Sequence, residues 1–350
     1  MRASIFLFAG ALTACGSSAA RSDAGPASIL VLDRAVIHSR GTDNVQHALA
    51  AVDLGPGPWA RATLILDLDS PCYPYERWQT DPPPEGQFWP ADCDSATRSL
   101  EISFDPPTGF GAPPPFEVER AATPFGGPEH LVVDVTDFAN AFPGAHTLDV
   151  YIPTMASTDG TVSGSAGSWT VTVRLETTPG PAPRHVLGAL VLENGTFNRG
   201  DDPHTVAVSI PDGVTAARLE YRATGEGNTA YFGGCGSGED FCQRTHHLQV
   251  DGVEIAAPTP WRTDCDKECT VAHQGPAGRG FDYCLENPTG SYITVPKPRA
   301  NWCPGTDTPP MTFDPTGLHA PGSHSFSYTI DGINTSGWWR VSAVLYLFGS

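Results

Sequence analysis

The chain has 350 residues, enough for about two domains at roughly 150 residues each. Its 39 acidic and 20 basic residues leave a formal charge of −19, and an excess of acid this large repels phosphate backbones, so nucleic-acid binding is excluded as a main role. Glycine (37) and proline (34) are abundant, charged residues are only 17%, and 40% of residues are hydrophobic. That balance argues against a helical protein and for many short strands joined by turns, with enough apolar side chain to bury a core.

At the N-terminus, Arg2 precedes an apolar run from Ala3 to Leu12 that is too short to span a bilayer and has the shape of a secretory signal. Leu12-Thr13-Ala14-Cys15 resembles a bacterial lipobox, which predicts a signal peptide over 1–15, a lipid on Cys15 and a small, polar tether over 16–27. The alternative is an ordinary signal cleaved near Ala14. The lipobox implies an exported protein, lipid-anchored to the bacterial outer membrane or cell surface and touching membrane through that lipid alone.

Strand signals then run the length of the chain. Apolar or alternating segments occur at Ile29–Asp33, Ala62–Leu68, Ser99–Phe104, Leu131–Val135, Thr147–Ile152 and Trp169–Leu175. A second series covers Val186–Leu192, Thr205–Ile210, Arg218–Tyr221, His246–Val250, Ser325–Ile330 and Val341–Phe348. In Trp169-Thr170-Val171-Thr172-Val173 one face is apolar and the other hydroxylated, as a half-buried antiparallel strand requires. A single helical turn is expected near Asp137–Phe142, and Gly225-Glu226-Gly227 reads as a turn. Prolines 179, 181 and 183 cannot join a sheet ladder, so they mark a boundary. The expected fold is all-β: two antiparallel β-sandwich domains of jelly-roll type, at 28–178 and 185–350, joined by a linker at 179–184.

Without Cys15, eight cysteines remain, and an even number in an exported chain reads as disulfides. Sequence permits many pairings of Cys72, Cys93, Cys235, Cys242, Cys265, Cys269, Cys284 and Cys303, and loop closure favours 72–93, 235–242, 265–269 and 284–303. A zinc site built on Cys265-x3-Cys269 with Cys284 and Cys303 is the alternative.

The second half carries a recognisable constellation. Gly234-Cys235 leads to Phe241-Cys242-Gln243-Arg244-Thr245-His246, followed by Cys284-x-x-Asn287-Pro288 and Arg299-Ala300-Asn301-Trp302-Cys303-Pro304-Gly305. This order resembles the bacterial peptide-N-glycosidase F family. In the first half, Cys72, Cys93-Asp94 and Val133-Asp134-Val135-Thr136-Asp137-Phe138 are similar to family segments. The resemblance covers about residues 28–350 and implies two jelly rolls side by side, an architecture shared with copper-dependent peptide hydroxylases. It also supports pairings 72–93, 235–242 and 284–303, leaving 265–269 as an extra staple.

Hydrolysis of the bond between asparagine and N-acetylglucosamine needs a carboxylate to activate water. The resemblance places the family's main catalytic aspartate at Thr97, beside the matching Arg98, and its other two carboxylates at Asp240 and Pro153. A hydroxyl without an adjacent base cannot take that proton at neutral pH. Glu76, Asp92 or Asp94 would be substitutes; Glu76 lies in an insertion with Trp78, Phe88 and Trp89 that reads either as an aromatic binding surface or as a solvated loop with a tryptophan packed under it. Arg299 and Trp302 match family positions lining the substrate cleft; alternatively Trp302 packs on a disulfide and Arg299 is a surface charge. The adjacent Trp338 and Trp339 point to opposite faces of a strand, so one is expected in the core and the other is a candidate stacking residue.

The reading that follows is a surface lipoprotein that recognises an N-glycan or glycopeptide in the cleft between the domains, as a monomer and without a cofactor, its hydrolysis lost or altered. The alternative is an active glycosylasparagine amidase built on Asp240, Arg98 and Glu76, with Arg299, Trp302, Trp78 and Trp89 against the substrate. A copper-dependent monooxygenase has no His-x-His pair to support it, since His246 and His247 are adjacent. A structural envelope role is the remaining alternative.

Overall fold

A computed structural model describes residues 25–73, 92–109, 112–155, 167–227, 235–236, 238–274 and 281–350. Cys15, Glu76, Trp78, Phe88 and Trp89 lie outside the described residues. The first half forms β1 (Ala27–Arg40), β2 (Asp43–Val45), β3 (His47–Asp53), β4 (Trp59–Asp69), β5 (Ser99–Phe104), β6 (Phe116–Ala122) and β7 (Glu129–Asp134). Helix α1 (Thr136–Ala141), β8 (Ala145–Tyr151) and β9 (Ser168–Pro179) complete it. The second half forms β10 (Val186–Asn198), β11 (His204–Ile210), β12 (Ala216–Gly227), β13 (His246–Val250) and β14 (Val253–Ala256), then a 3₁₀ turn, Cys265–Glu268. After it come β15 (Val271–Gln274), β16 (Phe281–Cys284), β17 (Thr306–Asp307), β18 (Met311–Phe313), β19 (Gly322–Ile330) and β20 (Gly337–Phe348).

These strands build two antiparallel sandwiches. The first stacks a sheet ordered β2-β1-β9-β4-β7 on one ordered β17-β6-β5-β8-β3; the second stacks β10-β20-β12-β18 on β11-β19-β13-β14. Every expected strand segment falls on one of these strands, with Leu131–Val135 and Thr147–Ile152 each running one residue past the end of β7 and β8. The fold class is thus the one that the alternating patterns imply. β12 is longer than its apolar signal and runs on to Gly227, with Gly225 opposite Trp339 and Glu226 opposite Trp338, so Gly225-Glu226-Gly227 is strand and not turn. Gly225 is required there because a Cβ would stand 2.6 Å from that of Ala300 and 2.8 Å from the Glu239 carbonyl.

The sandwiches meet sheet to sheet. On β20, Trp339, Val341, Ala343, Leu345 and Leu347 fill the second core, while Val344, Tyr346 and Phe348 join the first. Burial on both faces explains the unbroken apolar run at this strand. β17 comes from the second half of the sequence yet pairs with β6, Thr306 opposite Ala122. On β6 all seven residues are buried although three are charged, because their polar face lies against the second sandwich.

Two disulfides differ from expectation. Cys72–Cys93 and Cys235–Cys242 are formed, but the other four cysteines pair as Cys265–Cys303 and Cys269–Cys284. Arg262 and Arg299 exchange two backbone hydrogen bonds (2.9 and 3.0 Å), which lays the chain before Cys265 alongside the chain before Cys303. The β15–β16 hairpin sets Val271 opposite Cys284 and so brings Cys269 to it. Loop-closure cost grows only logarithmically with length, so ladder geometry outweighs the preference for near neighbours.

Candidate functional site

The seam between the sandwiches changes character along its length. The outward face of β12 reads Arg218, Glu220, Arg222, Thr224, Glu226, and the matching face of β20 runs from Phe348, Tyr346 and Val344 to Ser342, Arg340 and Trp338. At the polar end β5 and β6 answer with Glu101, Glu117, Glu119 and Arg120. Arg120, fully buried, donates to Glu117 at 2.7 Å, to the Arg340 carbonyl at 2.6 Å and to the Thr224 hydroxyl at 3.3 Å. Arg340 forks onto Glu101 with two 2.7 Å bonds and also donates to Asn194. Arg222 donates to the Val118 carbonyl at 2.8 Å.

Where the seam reaches solvent, half-buried Glu226 accepts from Thr224 Oγ1 (3.1 Å) and from the Trp338 indole (3.3 Å). Trp338 is 36% exposed while Trp339 is wholly buried, so the two adjacent indoles do face opposite ways. Burial pushes the Glu226 carboxyl up, and the charge of Glu101 adds to it against Arg120, Arg340 and the Thr224 hydrogen bond. Burial acts the same way on Glu101, but the Arg340 hydrogen bond and the charges of Arg120, Arg340 and His47 outweigh it and hold its carboxyl low. Two carboxyl groups in one seam are thus pushed in opposite directions, the pattern that separates an acid from a base. Tyr151 lies opposite Glu101 on β8 and stacks on the His47 ring at 4.5 Å, and His47 pairs with Asp149 at 2.9 Å.

The residues singled out from the sequence occupy distinct places. Thr97 donates its hydroxyl to the Thr123 carbonyl at 2.6 Å. Arg98 forks onto Asp94 (3.0 and 2.9 Å), and Asp94 also accepts from the Trp169 indole at 3.3 Å; this carboxylate is 1% exposed and committed. Exposed Asp92 uses its carbonyl to accept from Ser168. Pro153 follows β8. The Asp240 carbonyl accepts from Ala300 at 2.8 Å, and its carboxylate charge acts on Arg299. Neighbouring Glu239 is fully buried, held by Arg244 (2.7 and 2.9 Å), the Asn334 amide and the Trp339 indole.

Arg299 is 3% exposed and lies between the Phe241 ring (4.6 Å) and the Trp302 ring (4.5 Å), donating to the Thr294 carbonyl; it is no surface charge. Burial lowers its pKa to about 10 even though Asp240 opposes the shift. Trp302 is 6% exposed and donates to the Gly225 carbonyl at 2.8 Å, and the cysteine after it bonds Cys265, so the packing partner expected for Trp302, a 284–303 disulfide, does not exist. His246 is buried against Trp339 and bonded to Tyr221, its pKa lowered to about 3 by burial, whereas His247 pairs with Glu254 and Asp331. Sequence reasoning passed over Glu101, Glu226 and Arg340. The signal was the polar residue at every second position from Arg218 to Glu226, which marks a covered polar face once β12 is given its full length.

Residues 194–346 match the family described as "Peptide-N-glycosidase F, C terminal". The second sandwich is thus similar to the C-terminal domain of that family. Solved structures show the same fold over both sandwiches. PNGF-II is 18% identical, with a TM-score of 0.70 over 93% of this chain and 66% of that one. The PNGase F of Flavobacterium meningosepticum, described as a glycosylasparaginase, is 16% identical, with a TM-score of 0.65 over 93% of this chain and 96% of that one. A recombinant peptide:N-glycanase F gives the same identity and TM-score. No curated protein matches in sequence.

Proposed function

We propose that this protein binds an N-glycan or glycopeptide at the polar end of the seam and does not hydrolyse the glycosylasparagine amide. The observation that carries the reading is the position of Thr97. Where the resemblance calls for a proton-accepting carboxylate, this chain has a hydroxyl whose proton is given to the Thr123 carbonyl at 2.6 Å. Nearby Asp94 is locked by Arg98 and Trp169 and does not stand in. What remains suits recognition: half-exposed Trp338 offers an indole face to a sugar ring, and Glu226, Tyr151 and His47 offer hydrogen bonds beside it. Export with a lipid on Cys15 would hold this seam outside the cell.

Calorimetric titration with an N-glycopeptide, the free glycan and the unglycosylated peptide tests this. Binding of the first two, weakened about tenfold or more in Trp338→Ala, is the expected result. No binding of any of the three defeats it.

A second reading is favoured by Glu226. Its carboxyl is held up by burial while that of Glu101 is held down, so the pair can divide acid and base roles in an amidase whose carboxylate has moved. Release of intact glycan that disappears in Glu226→Gln would establish it.

A further inference from the structure

Away from the seam, an open-sided cavity of about 370 Å³ lies in the second sandwich between β10, β11 and β19, lined by Leu192, Glu193, His204, Val206, Phe326 and Tyr328, with Thr205 at its rim. We propose that it is a binding site for a single neutral sugar ring.

The site is built by the backbone. β10 pairs with β20 as Val191 opposite Val344 and then Glu193 opposite Ala343, so Leu192 is an extra residue at a β-bulge. Before the bulge Val191 packs toward the first sandwich; after it Asn194 does so, donating to the Pro115 carbonyl at 3.0 Å. Leu192 and Glu193 are therefore both turned into the second sandwich, and re-aiming a side chain is the usual work of a bulge. Gly195 keeps the space: a Cβ there would come 2.6 Å from Glu193 Oε1.

The carboxylate so placed has no arginine or lysine partner in the cavity lining. His204 Nδ1 stands 2.9 Å from Glu193 Oε2 and 3.0 Å from the Tyr328 hydroxyl, while Nε2 is 3.9 Å from Asp201. Phe197 lies against the imidazole with ring centres 5.0 Å apart. A carboxylate, an imidazole and a phenol held in one cluster give acceptors and donors within one small cavity, with Leu192, Val206 and Phe326 as apolar wall.

That chemistry selects among ligands. With no arginine or lysine in the lining, a phosphate or carboxylate ligand would meet Glu193 with only the His204 imidazole to offset it. Glu193 already has His204 and Tyr328 beside it, which lessens its pull on an organic cation. A ring carrying several hydroxyl groups can donate to the carboxylate and exchange hydrogen bonds with the imidazole and the phenol, with an apolar face for the wall. The volume is at the small end of ligand pockets, about 300–1,000 Å³, and suits one ring within the cavity.

Saturation-transfer NMR of the full protein with glucose, galactose, mannose and N-acetylglucosamine, each alone, and with tetramethylammonium as the cationic probe, decides this. At least one sugar should receive saturation, with affinity about tenfold weaker in Glu193→Gln, where a charge-assisted hydrogen bond is lost. Gly195→Ala, which pushes Glu193 aside without removing it, should weaken the same sugar. The proposal is overturned if no sugar binds, if tetramethylammonium binds and the sugars do not, or if affinity is unchanged in both variants. A sugar signal that survives in Glu193→Gln but is lost in Trp338→Ala places the sugar in the seam; that result defeats this site and leaves the seam reading standing.

Discussion

The two ends of the seam are held by different physics. At one end Phe348, Tyr346 and Val344 of β20 enter the first core beside Phe116 and Phe138, while Arg218 lies over the Tyr346 and Phe348 rings and pairs with Asp137 of α1 at 2.8 Å. At the other, Arg120, Glu117, Arg340 and Glu101 are buried as ion pairs whose worth depends on every partner being present. Ordinary burial would have served to glue two sandwiches. The charged end is the one that opens at Glu226 and Trp338.

Breaking one partner at the charged end should have the largest effect. Arg120→Ala leaves Glu117, 1% exposed, without its cation and is expected to cost about 3–5 kcal/mol in denaturant unfolding. The double variant Arg120→Met with Glu117→Leu should recover most of that loss; a double variant no better than the single one would show that the ion pair is not the source. At the end where the rings enter the core, Phe348→Ala should cost about 3 kcal/mol in the same unfolding measurement, through the cavity it leaves beneath Arg184 and Arg218.

pH separates the ends further. Burial lifts the Glu119 carboxyl from 4.5 to about 7, with Arg222 opposing and Asp307 and Glu117 adding to the shift. An acid whose folded pKa is raised binds more protons folded than unfolded, so stability falls as pH rises from about 4.5 to about 7. The expected fall from this group is about 3 kcal/mol. Glu119→Gln should flatten that part of the stability profile, and an unchanged profile would place the slope elsewhere. The smallest effect on stability belongs to Trp338→Ala, within about 0.5 kcal/mol for a side chain at the open edge; a larger loss would make the indole structural rather than available to a ligand.

Much of the fold was legible because its strands obey simple periodicities. Trp169–Leu175 alternates cleanly, and Val341–Phe348 is apolar on both faces since it serves two cores. β6 was not legible: Phe-Glu-Val-Glu-Arg-Ala-Ala looks like a solvated edge, and only the second sandwich, distant in sequence, makes those charges interior. The same holds for Glu226, masked by two glycines that resemble a turn but instead admit the close approach of residues 239 and 300. Cys265 and Cys269 show the limit of local reasoning, because the backbone ladder at Arg262 and Arg299 set their partners. The family resemblance singled out Thr97, and the structure adds that its hydroxyl is engaged by the Thr123 carbonyl.

The amide of a bound glycopeptide separates recognition from hydrolysis most directly. Mass spectrometry of an N-glycopeptide held with a stoichiometric amount of the purified protein reads this directly: the glycan should stay attached and the linked residue should remain asparagine. Free glycan together with aspartate at that position would show a working amidase and contradict the claim that this seam recognises without cutting.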